Sequence, residues 1–304
     1  MRCRPPTKIH PAPGDRASGN VTGYACVVIS SRWADELAFA TDLARSAGNI
    51  LTDSYERLER IDYKSKRDVV TDADYASERL VIDAIKARYP GDAILAEESG
   101  EHAGVLRDDG SKNGRTWVID PLDGTVNYAN GIPFYCVSIG LVVDDAPTVG
   151  VVFDPARDDL FCATVDGPAI LNEMPILASA KETLSDYVVS LAVIGKGGLM
   201  RERRIAPRIR IHRRMGSAAL ALVYVSNGRF DAFVQNGGLS LWDVAAAGLI
   251  AQRAGAVVTN LGGGEWWNSG LRGPRSSVVA APAAQHGALV ELLASLKTSV
   301  QTRR

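Results

Sequence analysis

The sequence predicts a layered α+β fold in two halves. Three observations carry this: amphipathic helical segments at the start, a block of short β-patterned runs in the middle, and alternating helical and strand-like segments after about residue 175. A length of 304 residues suffices for one large or two modest domains. We divide the chain into a disordered N-terminal extension (1–30), an N-terminal α+β half (31–172) and a C-terminal α/β half (173–298).

The extension is rich in Pro, Gly and Arg up to Asn20 and has no periodicity. Pro5, Pro6, Pro11 and Pro13 precede the mildly apolar Val21–Ile29 stretch, so the segment reads as a flexible extension or an over-long start rather than a signal peptide. Trp33, Leu37, Ala40, Ala44, Ala47 and Leu51 recur at spacings of three and four, predicting a first long helix. A second helix follows Asp68–Thr71, with Ala73, Ala76, Leu80, Ala84 and Ile85 on its apolar face and Pro90-Gly91 as its stop. Ile94–Ala96 and Thr116–Ile119 are short apolar strands, each ending in carboxylates. Cys136–Val143, Thr148–Phe153 and Asp159–Thr164 read as strands separated by Asp/Pro turns. Beyond these, strands are expected at Tyr187–Val193, Asp231–Val234, Ala256–Thr259 and Ser277–Ala280. Helices are expected at Lys196–Ile205, Ser217–Ser226, Leu241–Ala254 and Gln285–Leu296.

Composition narrows the function. The net charge of −1 offers no broad basic face for nucleic acid, so a small molecule is the expected partner. No apolar run approaches the roughly 20 residues that span a membrane. Cys3, Cys26, Cys136 and Cys162 are scattered, without CxxC or zinc spacing, and read as reduced thiols of a cytoplasmic protein. The four histidines are equally dispersed.

Carboxylates at strand ends are the chemistry-bearing feature. Mg²⁺ takes hard oxygen ligands in near-octahedral geometry, and three places supply them. Glu97-Glu98-Ser99 follows a strand, although adjacent acids are also common at solvated surfaces. In Asp120-Pro121-Leu122-Asp123-Gly124-Thr125-Val126-Asn127, Asp120 ends a strand and Pro121 bends the chain. Asp123 returns beside Asp120, and Thr125 can open a helix whose free N–H groups hold a phosphate. A plain turn has the same composition, but burying it between two apolar runs would be costly without a cation. In Leu239-Ser240-Leu241-Trp242-Asp243, the Asp is placed equally well for metal binding or for capping a helix begun at Ser240.

These motifs, with Val70-Thr71-Asp72-Ala73-Asp74 and Trp242-Asp243-Val244-Ala245-Ala246, resemble the inositol monophosphatase family of magnesium-dependent, lithium-sensitive phosphatases over roughly residues 33–297. The resemblance implies an α-β-α-β-α sandwich, a homodimer and two or three Mg²⁺ per site. By matching position, Glu97, Asp120, Asp123, Asp243 and the Leu122 carbonyl would be metal ligands. Asp74 and Thr125 would orient and help deprotonate the attacking water, with Glu98 close by. The Gly124 and Thr125 amides would meet phosphate, Lys64 would sit on a loop closing over the metals, and Gly216, Ser217 and Ala218 would lie on the substrate side. The residue types agree with this chemistry: no Cys or His nucleophile is placed for a covalent route, which favours in-line attack by metal-activated water.

The family often carries a Glu seven residues before the last Asp. Here that position is Asn236, within an altered Gln235-Asn236-Gly237-Gly238 loop. An amide still binds hydroxyls. The resemblance makes inositol monophosphate the leading substrate, with histidinol phosphate, fructose 1,6-bisphosphate and 3′-phosphoadenosine 5′-phosphate as alternatives, while the loss of a charged acceptor at Asn236 counts against inositol itself. Arg201, Arg203, Arg204, Arg208, Arg210, Arg213 and Arg214 read as solvated charges, or else as a second phosphate contact. A non-catalytic phospholigand-binding relative would be expected to have lost a metal carboxylate or the water-orienting pair, and all are present.

Overall fold

The computed structural model describes residues 31–55, 57, 61–65, 68–106, 110–193, 198–268 and 276–294, with the side chains of 61, 63–65, 68, 69 and 276 left aside. The expected N-terminal extension and the Lys64 side chain lie outside the described residues.

In chain order the elements begin with α1 (Ala34–Ser54), β1 (Ile61–Ser65), β2 (Asp68–Thr71), α2 (Asp72–Arg88), β3 (Ala93–Ala96), β4 (Gly100–His102) and β5 (Arg115–Asp123). Next come α3 (Thr125–Ala129), β6 (Cys136–Val143), β7 (Ala146–Asp154), β8 (Asp159–Thr164), β9 (Ile170–Leu171) and β10 (Met174–Pro175). The remainder is β11 (Val188–Val193), α4 (Gly198–Ile205), β12 (Ile211–Arg213), α5 (Ala218–Val223), β13 (Ala232–Leu239), α6 (Leu241–Arg253), β14 (Ala256–Thr259), β15 (Ser276–Pro282) and α7 (Ala283–Ala294).

Strand alternation sorts these elements into five layers. In the eight-stranded sheet, ordered β10-β9-β8-β7-β6-β5-β3-β4, Val137, Ile139 and Leu141 of β6 and Val149 and Val151 of β7 pack against α1 and α2. Cys136, Val152 and Phe161 point the other way, onto α5 and α6. Those two helices also cover Phe233, Val278 and Ala280 of a five-stranded sheet ordered β12-β11-β13-β15-β14. Its outer face, including Val189, Leu191, Val234 and Val279, packs on Ile205 of α4 and Leu289 and Leu293 of α7. The result is the expected α-β-α-β-α sandwich. Because both faces of both sheets are covered, their strands read as near-continuous apolar runs, and each fully buried aliphatic side chain contributes roughly 1.5–3 kcal/mol.

Two glycines set where the middle layer sits. Gly140 and Gly150 are register partners on β6 and β7. A Cβ on Gly140 would stand 3.0 Å from Ala245 Cβ, and one on Gly150 2.7 Å from Ala246 O. Their bare backbones let α6 lie directly on the sheet, which carries its first turn, with Asp243, to the end of β5.

Three expectations shift. The buried face of α2 is Ala73, Asp74, Ser77, Glu78, Val81, Ile82 and Ile85, while Ala76 is exposed and Leu80 and Ala84 are half-buried. The helix is rotated because its inner face turns polar groups toward a carboxylate cluster as well as apolar ones into the core. The β5 ladder does not stop at Asp120 but runs on to Asp123, with a register shift between the two. The Gln235–Gly238 segment is not a loop: it is the end of β13, with an irregularity between Asn236 and Leu239 where Gly237 and Gly238 fall.

Candidate active site

The site gathers at the end of β5. Its bulge makes Asp120 and Asp123 neighbours: Asp120 Oδ1 accepts the Leu122 N–H at 3.0 Å, and the Pro121 carbonyl, freed from the ladder, accepts Ser77 Oγ from α2 at 3.1 Å. Gly124 follows with φ +99°, where an added Cβ would come 3.0 Å from Ser217 Cβ and 3.1 Å from Phe134 O. Only glycine turns the chain there into α3 without strain or collision.

Asp243 arrives from α6. Ser240 is the N-cap, and its N–H donates to Asp243 Oδ2 at 2.6 Å. One carboxylate therefore both caps the helix and joins the acidic cluster. Oxygens of Asp120, Asp123 and Asp243 lie within 4.8 Å of one another. Burial, then the charges of Glu97, Asp123 and Asp243, push the Asp120 carboxyl well above the usual range. Asp243 is raised by burial and then by Asp123, and Asp123 by burial against the opposing hydrogen bonds of Ser217 and its helix amides. Like charges held this close favour protonation or a cation. An all-oxygen donor set of three buried or half-buried carboxylates, with Glu97 beside Asp120, fits a hard divalent metal.

Asp74 and Thr125 meet as expected. Asp74 closes a capping box on α2, accepting the Thr71 N–H at 2.8 Å and Thr71 Oγ at 2.6 Å. Its other oxygen is 3.1 Å from Thr125 Oγ, which also lies 3.0 Å from the Leu122 carbonyl. Burial pushes the Asp74 carboxyl up to about 6, against the Thr71 bonds and with the Glu98 charge adding to the rise. Glu98 is held in turn by Glu78, whose Oε2 accepts the Glu98 N–H at 2.8 Å. Buried Glu78 and Ser77 escaped the sequence reading because a polar residue on a helix looks solvent-facing until the helix is docked.

The Gly216-Ser217-Ala218 segment meets Asp123. The Ala218 and Ala219 N–H groups donate to its carboxylate at 3.1 and 2.6 Å, and Ser217 Oγ donates to Oδ2. Asn127 Nδ2 bonds both the Phe134 and Met215 carbonyls at 2.7 Å, tying α3 to that segment. Buried Cys136 packs beneath, its Sγ 3.8 Å from Asp123 Oδ2, with burial holding the thiol well above its ordinary pKa.

A cavity of about 590 Å³ opens beside Asp123 and Asp243, lined also by Ser190, Ala192, Arg214, Gly216, Ser217, Ala218, Gln235 and Gly238. Gln235 pairs in register with Ala192, and both face the cavity. Asn236, the next residue on the strand, is not among the lining residues. Ser190 was not singled out from sequence, whereas Arg214 was one of the seven arginines read as solvated charges or else as a second phosphate contact. The available signal was a lone Ser inside the apolar run Val188–Val193.

Among the described residues no helix is long and apolar enough to cross a membrane. The profile of the inositol monophosphatase family matches residues 33–301. The chain is 38% identical over 236 residues to the Nus factor SuhB of Pasteurella multocida, covering 75% of this chain and 86% of that protein. It is 34% identical over 237 residues to the inositol monophosphatase of Mesembryanthemum crystallinum, covering 74% and 84%. Among solved structures, the extragenic suppressor protein suhB of Bartonella henselae superposes with a TM-score of 0.78 at 30% identity, covering 86% and 98%.

Proposed function

This chain belongs to the inositol monophosphatase family, and from that premise we propose that it is a Mg²⁺-dependent phosphomonoesterase of small phosphorylated polyols, with inositol monophosphate as the first substrate to try. The observation that carries this reading is the convergence of Asp120, Asp123 and Asp243, the last two of which line a cavity.

Asp120, Asp123, Asp243, Glu97 and the Leu122 carbonyl would hold two or three Mg²⁺. Bound there, the ions would neutralise the phosphate dianion and acidify water. The chain's own groups do the positioning. Thr125 Oγ–H points to Asp74 Oδ1, which leaves the threonine lone pairs to accept from a water, and Asp74 can draw off the proton through that bond. The Gly124 and Thr125 amides, at the turn into α3, would bind phosphate oxygens. The polyol would lie along Gly216, Ser217 and Ala218, with Gln235 rather than Asn236 reaching its hydroxyls. The same reading carries a homodimer and a cytoplasmic location.

The test is phosphate release from a panel of polyol phosphates with Mg²⁺ and with EDTA, on wild-type protein and Asp120→Asn. Activity that needs Mg²⁺ and disappears in the variant is expected. Equal release with EDTA, or from Asp120→Asn, would overturn the reading.

A further inference from the structure

The arginines around β12 have different surroundings. Arg210 pairs with Asp186 at 3.0 Å, and Arg213 bonds the His212 carbonyl at the surface. Arg214 instead lines the substrate cavity with Ser190, Ala192, Gln235 and Gly238, while Asp123 and Asp243 also line it. Its guanidinium is anchored to the end of β11 by one long bond, Nη2 to Val193 O at 3.4 Å. It meets no carboxylate among the described residues. Arg115, Arg157 and Arg229, by contrast, each contact a carboxylate. A guanidinium carries five N–H donors in a fixed fork and no acceptor, so most of its donors find no partner among the described residues.

We infer that Arg214 is a specificity-determining residue and that the preferred substrate carries a second anionic group, phosphate or carboxylate, besides the phosphate that is cleaved. This rests on the phosphatase reading above. The cavity is large enough: about 590 Å³ lies within the roughly 300–1,000 Å³ of small-molecule sites. Ser190 and Gln235 offer neutral partners for hydroxyls along the way. A neutral hydroxyl accepts a single bond from the Arg214 guanidinium, whereas an anionic oxygen pair adds the attraction of opposite charges and a bidentate fork.

The test uses matched probes: fructose 1,6-bisphosphate, fructose 1-phosphate, and 2-phosphoglycerate as a phosphate monoester bearing a carboxylate. Wild-type kcat/KM should be highest for a probe with a second anionic group, and whether the bisphosphate or the carboxylate leads identifies that group. Arg214→Ala should lower kcat/KM for that probe about ten- to a hundred-fold more than for fructose 1-phosphate, mainly through KM. Arg214→Lys should recover part of the difference. Arg210→Ala, which removes an arginine outside the cavity, should leave the ratio between probes unaltered. Equal losses on all probes in Arg214→Ala, or a wild-type preference for fructose 1-phosphate, overturns the inference while leaving the phosphatase reading standing. If wild-type protein hydrolyses none of the probes, calorimetric binding of fructose 1,6-bisphosphate with Mg²⁺ decides instead. Tighter binding to wild type than to Arg214→Ala supports the inference, and equal or absent binding overturns it.

Discussion

Replacing Asp74 with Asn should stabilise the metal-free protein while disabling it. Asp74 is fully buried, and burial with the nearby Glu98 charge outweighs its Thr71 hydrogen bonds, lifting its carboxyl from 3.8 to about 6. At about 1.4 kcal/mol per pH unit, that displacement amounts to about 3 kcal/mol. The sign follows from linkage. Because the folded-state value is raised, the wild-type contribution is full below about pH 4 and is lost as pH rises through about 6. Asparagine cannot ionise and escapes the loss. Its amide oxygen can keep the Thr71 bonds, while its NH₂ would have to donate to Thr125 Oγ, which trims the gain. Urea unfolding in EDTA, followed by circular dichroism, should therefore find Asp74→Asn more stable by about 1–3 kcal/mol at pH 8, with no advantage at pH 4. Phosphatase activity should fall roughly 10²- to 10⁴-fold, as when a positioned proton acceptor is removed. A variant less stable than wild type at pH 8, or an advantage that persists at pH 4, refutes the reasoning.

Mg²⁺ at a hundred times its Kd should add about 2.7 kcal/mol and raise the wild-type Tm by about 5 °C, and by more as pH rises, because the raised carboxyls of Asp120, Asp123 and Asp243 make protons compete with the metal. Differential scanning fluorimetry of Asp120→Asn should show most of that rise gone. Gly150→Val drives side-chain atoms into the Ala246 backbone, so it should cost about 3 kcal/mol and, by lifting α6 and Asp243, most of the activity. Thermal melts and phosphate release measure the two together. Asn127→Ala strands the Phe134 and Met215 carbonyls, and chemical denaturation should find a loss of about 2–3 kcal/mol.

Much of this molecule is local chemistry, and local chemistry is legible. The return of Asp123 beside Asp120, the cap at Ser240, and the strands Cys136–Val143 and Asp159–Thr164 follow from residues within a few positions of one another. Their identity fixes their geometry, so the candidate metal centre could be marked from the sequence alone. The decisions that waited for the tertiary structure concern parity and docking. Which face of α2 is buried depends on what it packs against, and Asp74, Ser77 and Glu78 are hidden because β5 brings the carboxylates to them. Gln235 lines the cavity instead of Asn236 because the pairing of β13 with β11 turns one residue in and the next one out. The segment after β12 places Arg214, rather than Arg210 or Arg213, on the cavity wall, and bare Gly140 and Gly150 let α6 bring in Asp243. The Asp120–Thr125 run declares its chemistry from the residue types it contains. What surrounds it is set by long-range packing, because contacts between segments a hundred residues apart form only when the layers close.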